Sequence, residues 1–389
     1  MEARREKRGR MKGKEKTDME TENKQKPTLR EIIACTIFIG FIGTFFILNF
    51  IIPEPAVLES ERRIPAKFPE VSLNAILTGA FMSGFDDYAA DRFVFRDTFR
   101  MIHAFQILDV YRQTDKSGLY RCDAVGIGEF RRVDTTAFRQ TAERIQRAAN
   151  HVADMNMNIY YSIVPDKSVF AERYYPGFDL SVAEPILFDV LQEHTYIPLM
   201  DALDAGTFYR TDLHWDQSRI SGVTSHILSA MGANPVIGSY PVNTAGEWNG
   251  VYAGQLALPV TSDIMTYVDV PGLSVKYLND RTLEFEDGPL YDKTRFNGVD
   301  PYDMFLRGPQ PLIVIENPSV PERELYLFRD SFGSSLAPLM MEAYSKITVI
   351  DLRYINLQVL DMVFEFKPGS DVLFIFSSQI FNNPSIVQA

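Results

Sequence analysis

Two short segments of the chain combine residue types that could perform nucleophilic catalysis. The first, Thr211–Trp215, places a carboxylate at Asp212 and an imidazole at His214, two positions further on. The second, Arg329–Gly333, places Ser331 between an apolar run and a segment rich in glycine and serine. A serine hydroxyl becomes a good nucleophile when a neutral imidazole accepts its proton and a carboxylate orients that imidazole. If the two segments meet in space, they form a Ser-His-Asp site for acyl transfer.

The elements that follow and precede Ser331 predict how its hydroxyl is presented. In the last part of the chain, segments with a pattern typical of strands alternate with segments with a pattern typical of helices. They predict strands 324–328, 346–350 and 371–376 and helices 334–343 and 354–365. This alternation favours an α/β fold with a parallel sheet flanked by helices. Ser331 would then lie at the carboxyl end of a strand and at the start of a helix, where unpaired backbone N–H groups can stabilise an oxyanion.

Earlier parts of the chain predict further elements of the same fold. Helical spacing of apolar residues predicts helices 80–112, 135–154 (with Asp134 as its N-cap), 184–193 and 216–231. An apolar run rich in β-branched and aromatic residues predicts a buried strand over 157–164, followed by a short segment at 196–199. Residues 240–322 indicate an insertion of loops and antiparallel strands, with strand-like runs at 264–270, 274–278 and 312–315.

Simpler interpretations of the same catalytic residues remain open at this stage. Ser331 could be the N-cap of the helix that follows it, with Asp330 sharing that role. Asp212 could be a turn residue and His214 a loop histidine with satisfied hydrogen bonds. Asp212 and His214 could also be metal ligands together with Asp216, which would make a metal-dependent hydrolase. We favour the triad and expect neither a metal ion nor a cofactor.

Several other side chains could bind substrate near these segments. Lys167 could bind an anionic group or be a solvated loop end, and Arg353 could bind an anion or pair with Asp351. The larger aromatic residues could stack on sugar rings or simply pack in the interior: Trp215, Trp248, Tyr252 and Tyr291. We take Lys167, Trp215 and Arg353 as the candidate substrate-binding residues.

The amino-terminal part of the chain indicates a membrane anchor. Residues 32–52 form a run of 21 residues without charge, and a helix of this length spans a hydrocarbon layer of about 30 Å. Eleven Lys and Arg against six Asp and Glu in residues 1–30 favour a cytoplasmic tail there. A cleaved signal peptide is the alternative. We therefore predict a tail at 1–30, a span at 31–52, a stalk at 53–79 and an ectodomain at 80–389.

Composition limits the function of the ectodomain further. The whole chain has a net charge of −12, and because its first 30 residues are basic, the remainder is more acidic still. A nucleic-acid partner is therefore not expected. Of the two cysteines, Cys35 lies in the predicted span and Cys122 is alone outside it, so no disulfide can form within the ectodomain.

The two catalytic segments also resemble motifs of a known family. Residues 211–215 and 330–333 resemble the DHHW family of bacterial extracytoplasmic proteins and are similar to the SGNH-hydrolase-like acetyltransferase domains of alginate acetylation proteins. Four further blocks are similar to that family: Glu59–Arg63 with Pro69; Tyr88, Asp91, Phe93 and Arg96; Val164–Lys167; and Asp351–Tyr354. Two positions depart from the family pattern, since Leu213 replaces a histidine and Arg329 replaces a glycine.

This resemblance implies a function and a role for each site residue. Asp212 would orient the imidazole, His214 would be the base and Ser331 the nucleophile. The domain would transfer an acyl group, which the resemblance implies to be acetyl, to or from a cell-wall or exported polysaccharide outside the cell membrane. A membrane-bound O-acyltransferase would be its donor partner. The alternative is a catalytically silent polysaccharide-binding or scaffold protein of the same fold, which the substitution at Arg329 brings into consideration.

Overall fold

A computed structural model describes residues 27–58, 60–172, 175, 177–233 and 240–388. Of the predicted tail 1–30, residues 1–26 therefore lie outside the described part, as does Glu59. The chain divides into two compact units. The first comprises residues up to Pro55 together with Phe68–Val94, and the second comprises Ala56–Lys67 together with Phe95–Ala389.

The first unit contains a long apolar helix. Helix α1 (Leu29–Ile51) begins at a capping box formed by Thr28 and Glu31, and Pro53 follows its end. Its 23 residues would extend about 34 Å, and it is long and apolar enough to cross a membrane. Helices α2 (Leu73–Leu77) and α3 (Ala80–Arg92) complete the unit.

The second unit contains the remaining helices and all the strands of the described residues. Its α-helices are α4 (Arg96–Phe105), α5 (Thr135–Ala153), α6 (Leu180–Val190), α7 (Ser221–Ala230), α8 (Val251–Leu256), α9 (Ser331–Met340), α10 (Leu357–Val363) and α11 (Ser378–Phe381). A π-helical turn, Gln106–Val110, continues α4. The single predicted helix 80–112 is wrong, because the chain leaves helical geometry after Arg92 and Phe95 adopts a left-handed conformation with φ of 59°.

Twelve strands are present in the described part of the second unit. They are β1 (Leu119–Cys122), β2 (Gly126–Glu129), β3 (Asn158–Val164), β4 (Thr195–Tyr196), β5 (Val242–Trp248), β6 (Asp263–Val268), β7 (Ser274–Leu278), β8 (Phe285–Asp287), β9 (Leu312–Glu316), β10 (Glu324–Arg329), β11 (Lys346–Ile350) and β12 (Asp371–Ser377). Strands β1 and β2 form one antiparallel ribbon and β5 and β6 form another.

The central sheet has eight strands in the order β4-β3-β12-β10-β11-β9-β7-β8. The first five are parallel, as the alternation of strands and helices predicts. Strands β9, β7 and β8 come from the predicted insertion 240–322 and extend the sheet in antiparallel fashion beyond β11. The fold is therefore mixed α/β with a large central sheet.

Alternate side chains of the central strands bury on opposite faces of the sheet. On β10, Leu325 and Leu327 enter one core cluster, together with apolar residues of α7 and α9. Tyr326 and Phe328 enter the other cluster, together with residues of α5 and α6. Since successive side chains of a strand point to opposite faces, both faces of β10 are covered and the strand is apolar throughout. This burial holds fixed the end of the strand from which Ser331 follows.

The segment Ala56–Lys67 lies within the predicted stalk 53–79 but groups with the second unit. A backbone bridge between Leu58 and Arg63 closes it into a tight turn. Its Arg62 has a left-handed conformation with φ of 52°. This part of the predicted stalk is therefore folded as part of the second unit.

Candidate active site

Ser331 is the first residue of α9 and follows directly on the end of β10. The N-cap of this helix is Asp330, whose Oδ1 accepts a hydrogen bond from the N–H of Phe332 at 3.0 Å. Its Oδ2 accepts another from the N–H of Ser377, at the end of the neighbouring strand β12, at 2.8 Å. Asp330, and not Ser331, therefore caps the helix, which leaves the hydroxyl of Ser331 available for another role.

The capping by Asp330 also changes what the helix start can offer to an oxyanion. The N–H of Phe332 donates to the Asp330 carboxylate, and the N–H of Gly333 donates to the Asp330 carbonyl oxygen at 3.1 Å. The expectation that the N–H groups at this helix start are unpaired is therefore wrong for these two residues. The first-turn donors serve the cap, because they are the groups nearest to the Asp330 oxygens.

Asp212 and His214 lie in an irregular segment that we call the histidine loop, residues 207–216. Backbone hydrogen bonds close the loop, from Tyr209 N–H to the His214 carbonyl at 3.0 Å and from Asp216 N–H to the Thr207 carbonyl at 2.9 Å. Within it, Asp212 Oδ1 accepts the backbone N–H of His214 at 3.0 Å. This short-range bond holds the carboxylate against the residue two positions further along the chain.

Residues remote in sequence hold the histidine loop from outside. The carboxylate of Asp263, at the start of β6, accepts hydrogen bonds from the backbone N–H and the hydroxyl of Thr211, at 2.7 and 2.5 Å. The Thr211 hydroxyl oxygen accepts the N–H of Gly250 at 2.8 Å. The N–H of Val251, the first residue of α8, donates to Asp212 Oδ2 at 2.8 Å. The loop thus takes its shape from polar contacts with β6 and the start of α8.

The structure brings the three predicted site residues together. His214 Nδ1 lies 2.6 Å from Asp212 Oδ1, and His214 Nε2 lies 2.7 Å from Ser331 Oγ. With Nδ1–H donating to the carboxylate, Nε2 is free to accept the serine proton. Asp212 is fully buried, His214 nearly so, and Ser331 is only half-buried. A reactant can thus reach the serine while the carboxylate stays away from water.

The environment of Asp212 keeps its carboxylate ionised. Burial alone would raise the pKa of Asp212, but the adjacent His214 ring, its hydrogen bonds and the guanidinium of Arg62 together lower that pKa below its usual range. Arg62 Nη1 lies 3.2 Å from Asp212 Oδ2. An ionised carboxylate at this position can accept the Nδ1–H of the His214 ring and so orient the imidazole.

Two aromatic side chains fix the imidazole and the helix start. The ring of Tyr302 stacks on His214 with a centroid separation of 3.8 Å and an interplanar angle of 8°. Its hydroxyl donates to Ser335 Oγ at 2.8 Å, and burial raises the pKa of Tyr302 well above its usual value. Trp215 is fully buried and its Nε1–H donates to Ser335 Oγ at 2.7 Å and to the Phe332 carbonyl at 3.1 Å. Trp215 therefore connects the histidine loop to α9 and is not a surface platform for a sugar.

The buried Lys167 supports the histidine loop by hydrogen bonds to its backbone. Its Nζ donates to the carbonyl oxygens of Tyr209 and Arg210, at 2.7 and 3.1 Å. Burial lowers the pKa of Lys167 to about 8, against nearby carboxylates that raise it, among them Asp166 and Asp212. The interpretation as a solvated loop end is wrong, because the side chain is fully buried. Substrate binding by Lys167 stays a prediction.

The two arginines near the strand ends share one aspartate. Arg353 binds Asp351 through two hydrogen bonds, Nε to Oδ1 at 2.8 Å and Nη2 to Oδ2 at 2.7 Å. Arg329 is buried and its Nη1 lies 3.2 Å from the same Asp351. The side chain of Arg329 thus points to Asp351, and His214 still reaches Ser331. For Arg353, pairing with Asp351 is what the structure has, and binding of a substrate anion stays a prediction.

Asp216 does not join Asp212 and His214. Its carboxylate accepts hydrogen bonds from the backbone N–H of Ser218 at 3.0 Å and from the Thr266 hydroxyl at 2.6 Å. Among the residues that the structure describes, no group of three or more His, Cys, Asp or Glu side chains is placed to hold a metal ion.

Sequence reasoning missed three residues that contact the site. Arg62 lies in the predicted stalk, and Asp263 and Tyr302 lie in the predicted insertion 240–322. None of the three stands at a recognisable spacing from Asp212, His214 or Ser331. The block that contains Arg62 resembles a family segment, but nothing in that block relates it to the triad.

Comparisons with known proteins bear on the fold. No family model and no curated protein matches the chain in sequence. A crystal structure of a DHHW family protein from Eubacterium siraeum is similar with a TM-score of 0.50 and 18% identity, over 62% of this chain and 86% of that one. The structure of Bacillus cereus PatB1 is similar with a TM-score of 0.51 and 14% identity, over 70% and 99%. The O-acetyltransferase domain of Pseudomonas putida AlgJ is similar with a TM-score of 0.42 and 10% identity, over 69% of this chain and 93% of that one.

At these identities the likeness concerns the fold, and the AlgJ likeness is too distant to bear on function. The resemblance to the DHHW family that the sequence motifs indicate is therefore confirmed for the architecture. Both more similar proteins are covered over most of their length by this chain.

Proposed function

We propose that this protein is a membrane-anchored O-acyltransferase or esterase that acts outside the cell on acetyl esters of a polysaccharide, with Ser331 as nucleophile, His214 as base and Asp212 as the residue that orients the base. The observation that carries the proposal is the continuous line of hydrogen bonds from Asp212 Oδ1 through the His214 ring to Ser331 Oγ, at 2.6 and 2.7 Å. The fold likeness to a DHHW family protein supports it.

In the first half-reaction the serine takes the acyl group. Ser331 Oγ attacks the carbonyl carbon of the donor ester while His214 Nε2 accepts the serine proton, and Asp212 stabilises the resulting imidazolium. The tetrahedral intermediate then collapses, the bond to the donor oxygen breaks, and His214 returns the proton to the leaving oxygen. We assign the N–H of Ser331 to the oxyanion, because those of Phe332 and Gly333 serve Asp330.

In the second half-reaction a hydroxyl group takes the acyl group from Ser331. His214 removes the proton of that hydroxyl, the oxygen attacks the acyl-serine carbonyl, and the serine oxygen leaves with the proton that His214 returns. With a sugar hydroxyl the protein is a transferase, and with water it is an esterase. Transfer and hydrolysis need the same three residues, and which of the two reactions occurs depends on which acceptor occupies the site.

The proposal includes a location and a substrate class. We place α1 across the cell membrane with the basic tail in the cytoplasm, because its length and apolar character suit a span and the positive charge precedes it. The catalytic unit would then face an exported or cell-wall polysaccharide. A membrane-bound O-acyltransferase would supply the acyl group.

The test compares two serines of the same helix. Full-length protein in detergent is assayed for hydrolysis of 4-nitrophenyl acetate and for acetyl transfer to an oligosaccharide, as wild type, Ser331→Ala and Ser334→Ala. Ser334 lies in α9 as well, and its side chain is buried. We expect Ser331→Ala to lower turnover by about 10⁴-fold or more, with an unchanged melting temperature. Ser334→Ala should keep the wild-type rate.

Equal turnover by wild type and Ser331→Ala would refute the proposal. Absence of turnover in the wild type, with no labelling of Ser331 by a serine-directed sulfonyl fluoride, would favour the catalytically silent scaffold instead. Loss of activity on addition of a chelator would favour the metal-dependent hydrolase.

A further inference from the structure

The segment that follows the apolar helix, residues 56–67, packs against the start of α8. The carbonyl oxygen of Ser60 approaches Gly254 so closely that a Cβ at residue 254 would lie 1.5 Å from it. The guanidinium of Arg100 donates to the Ser60 hydroxyl at 3.1 Å and to the Gly254 carbonyl at 2.9 Å. Since α8 also supplies the Val251 N–H to Asp212, this contact places the segment beside the site.

Arg62 extends from this segment to the buried side of the site. Its Nη1 donates to Asp212 Oδ2 at 3.2 Å and to Asp300 Oδ1 at 2.9 Å. Its Nη2 donates to the Asn249 carbonyl at 2.6 Å, and the guanidinium lies over the Trp248 ring, 4.8 Å from its centroid. Only 6% of the side chain is exposed. Because the guanidinium contacts four different residues, it is held in a single position.

The geometry at Asp212 shows what Arg62 could contribute. Oδ1 binds the His214 ring, while Oδ2 accepts hydrogen bonds from Val251 N–H and from Arg62. A carboxylate held through Oδ2 cannot rotate about its terminal torsion, so Oδ1 stays in line with Nδ1 of the imidazole. A guanidinium is suited to this task because its charge is permanent and its donors have fixed directions.

We infer that Arg62 is a positioning residue of the acyl-transfer site, which acts through Asp212 to hold the His214 ring in line with Ser331. The inference rests on the proposed function of that site. It also means that the site is completed by a residue from the chain just after α1, in the part of the sequence that composition alone indicates to be a stalk.

The experiment uses full-length protein in detergent and the variants Arg62→Gln, Arg62→Lys, Arg62→Ala and Arg63→Gln. Arg63 is the matched control, because it is the adjacent arginine and pairs with Glu61, 2.8 Å away. Steady-state hydrolysis of 4-nitrophenyl acetate gives kcat and KM, and thermal unfolding reports on the fold. Added guanidinium chloride at low millimolar concentration tests for chemical rescue of Arg62→Ala.

We expect Arg62→Gln to lower kcat by about 10- to 100-fold with little change in KM, since the charged hydrogen bond to Asp212 is lost while acyl-donor binding is not. Arg62→Lys should recover part of that loss, Arg63→Gln should match the wild type, and guanidinium should restore part of the rate of Arg62→Ala. A purely structural role would not respond to free guanidinium.

Three outcomes would overturn the inference. If Arg62→Gln has the kcat of the wild type, the inference about Arg62 fails and the proposed function of the site is unaffected. A loss of rate that follows a loss of folded protein, with no rescue by guanidinium, would reduce Arg62 to a structural residue. A wild type whose turnover persists in Ser331→Ala would overturn the proposed function, and this inference with it.

Discussion

The two halves of the site are held in place by different means. The serine follows β10, whose side chains are buried on both faces of the sheet, and its helix is capped by the adjacent residue Asp330. The histidine loop has no regular structure beyond its closing backbone bonds. It is fixed by polar side chains from other parts of the sequence, chiefly Asp263, Lys167 and Arg62.

This difference indicates where the site is robust and where it is sensitive. Burial of apolar side chains is spread over many contacts, so no single change removes the support of the serine. The loop depends on a few charged hydrogen bonds, and each leaves a buried polar group unpaired when its partner is removed. We therefore expect substitutions that act on the loop to affect catalysis more than substitutions of similar size elsewhere.

Among substitutions that leave Ser331 in place, the largest effect should come from the carboxylate of the loop itself. In Asp212→Asn the amide cannot stabilise an imidazolium and can present an N–H to the ring, so we expect kcat to fall by about 10³- to 10⁴-fold. Asp216→Asn is the matched control at the end of the same loop, and its rate should stay near that of the wild type. Similar rates for Asp212→Asn and Asp216→Asn in ester hydrolysis would show that Asp212 has no catalytic role.

A second, smaller effect should follow from crowding the loop. A Cβ at residue 250 would lie 2.3 Å from the Thr211 carbonyl oxygen and from Asp212 Cβ, so in Gly250→Ala the loop must move. We expect a loss of about 1 to 3 kcal/mol in unfolding free energy, and a loss of rate of up to about 100-fold because the base is displaced.

Gly222→Ala is the control for this change, since nothing lies within 4 Å of its added methyl group. Gly222 is the second residue of α7, so the added methyl group should change the unfolding free energy by less than about 1 kcal/mol and leave the rate unchanged. If Gly250→Ala keeps full activity in kinetic and denaturant measurements, the loop tolerates displacement and the contrast between the two halves fails.

Removing the Asp263 carboxylate, which holds the histidine loop from outside, should have a moderate effect. Asp263→Ala leaves the Arg210 N–H and both donors of Thr211 without their acceptor, so we expect a loss of about 2 kcal/mol and a fall in rate of about 10-fold. Asp134→Ala removes a helix cap of comparable strength at α5, far from the loop in sequence, and should cost about 1 kcal/mol with no change in rate. Kinetics and denaturant unfolding of both variants would separate an effect on stability from an effect on the position of the loop. Equal rates for Asp263→Ala and Asp134→Ala would argue against a role of Asp263 in positioning the loop.

The effect with the least consequence for the rate concerns the pH dependence of stability. The pKa of Lys167 is lowered to about 8 in the folded protein against 10.5 for an ordinary lysine, so between these values the unfolded chain binds more protons at this group. Stability from this group should therefore rise as pH increases from about 8 to 10.5, by about 1 to 3 kcal/mol.

Lys167→Met should remove that rise, as measured by denaturant unfolding at several pH values. Lys276→Met, at an exposed position of β7, serves as the control and should leave the wild-type slope. A slope that persists in Lys167→Met would mean that the buried lysine does not titrate in this range.

The parts of the molecule that sequence patterns predict are those whose structure is decided locally. Strand 346–350 and helix 135–154 with its cap at Asp134 are close to the observed bounds, because alternation, helical spacing and capping are short-range signals. Helix 80–112 is wrong because the left-handed conformation of Phe95 has no local signature of the kind that glycine gives.

What the patterns could not predict depends on tertiary packing. Strand β9 belongs to the predicted insertion of antiparallel strands, but nothing in its residues indicates that it pairs with β11 in the central sheet. Arg62 and Tyr302 reach the histidine loop from segments that composition describes as stalk and insertion. Asp212, His214 and Ser331 could be proposed together because their residue types suggest a shared chemistry. Their catalytic roles remain a prediction.

One measurement tests the central claim most directly. Full-length wild type and His214→Ala are mixed with an acetyl donor, quenched in acid after milliseconds to seconds, digested and analysed by mass spectrometry for acetylated peptides. We predict an acetyl ester on Ser331 in the wild type that forms at least about 10³-fold more slowly in His214→Ala. Acetylation of Ser331 at the same rate in both proteins, or an acetyl group that turns over on a different residue, would contradict the proposed triad.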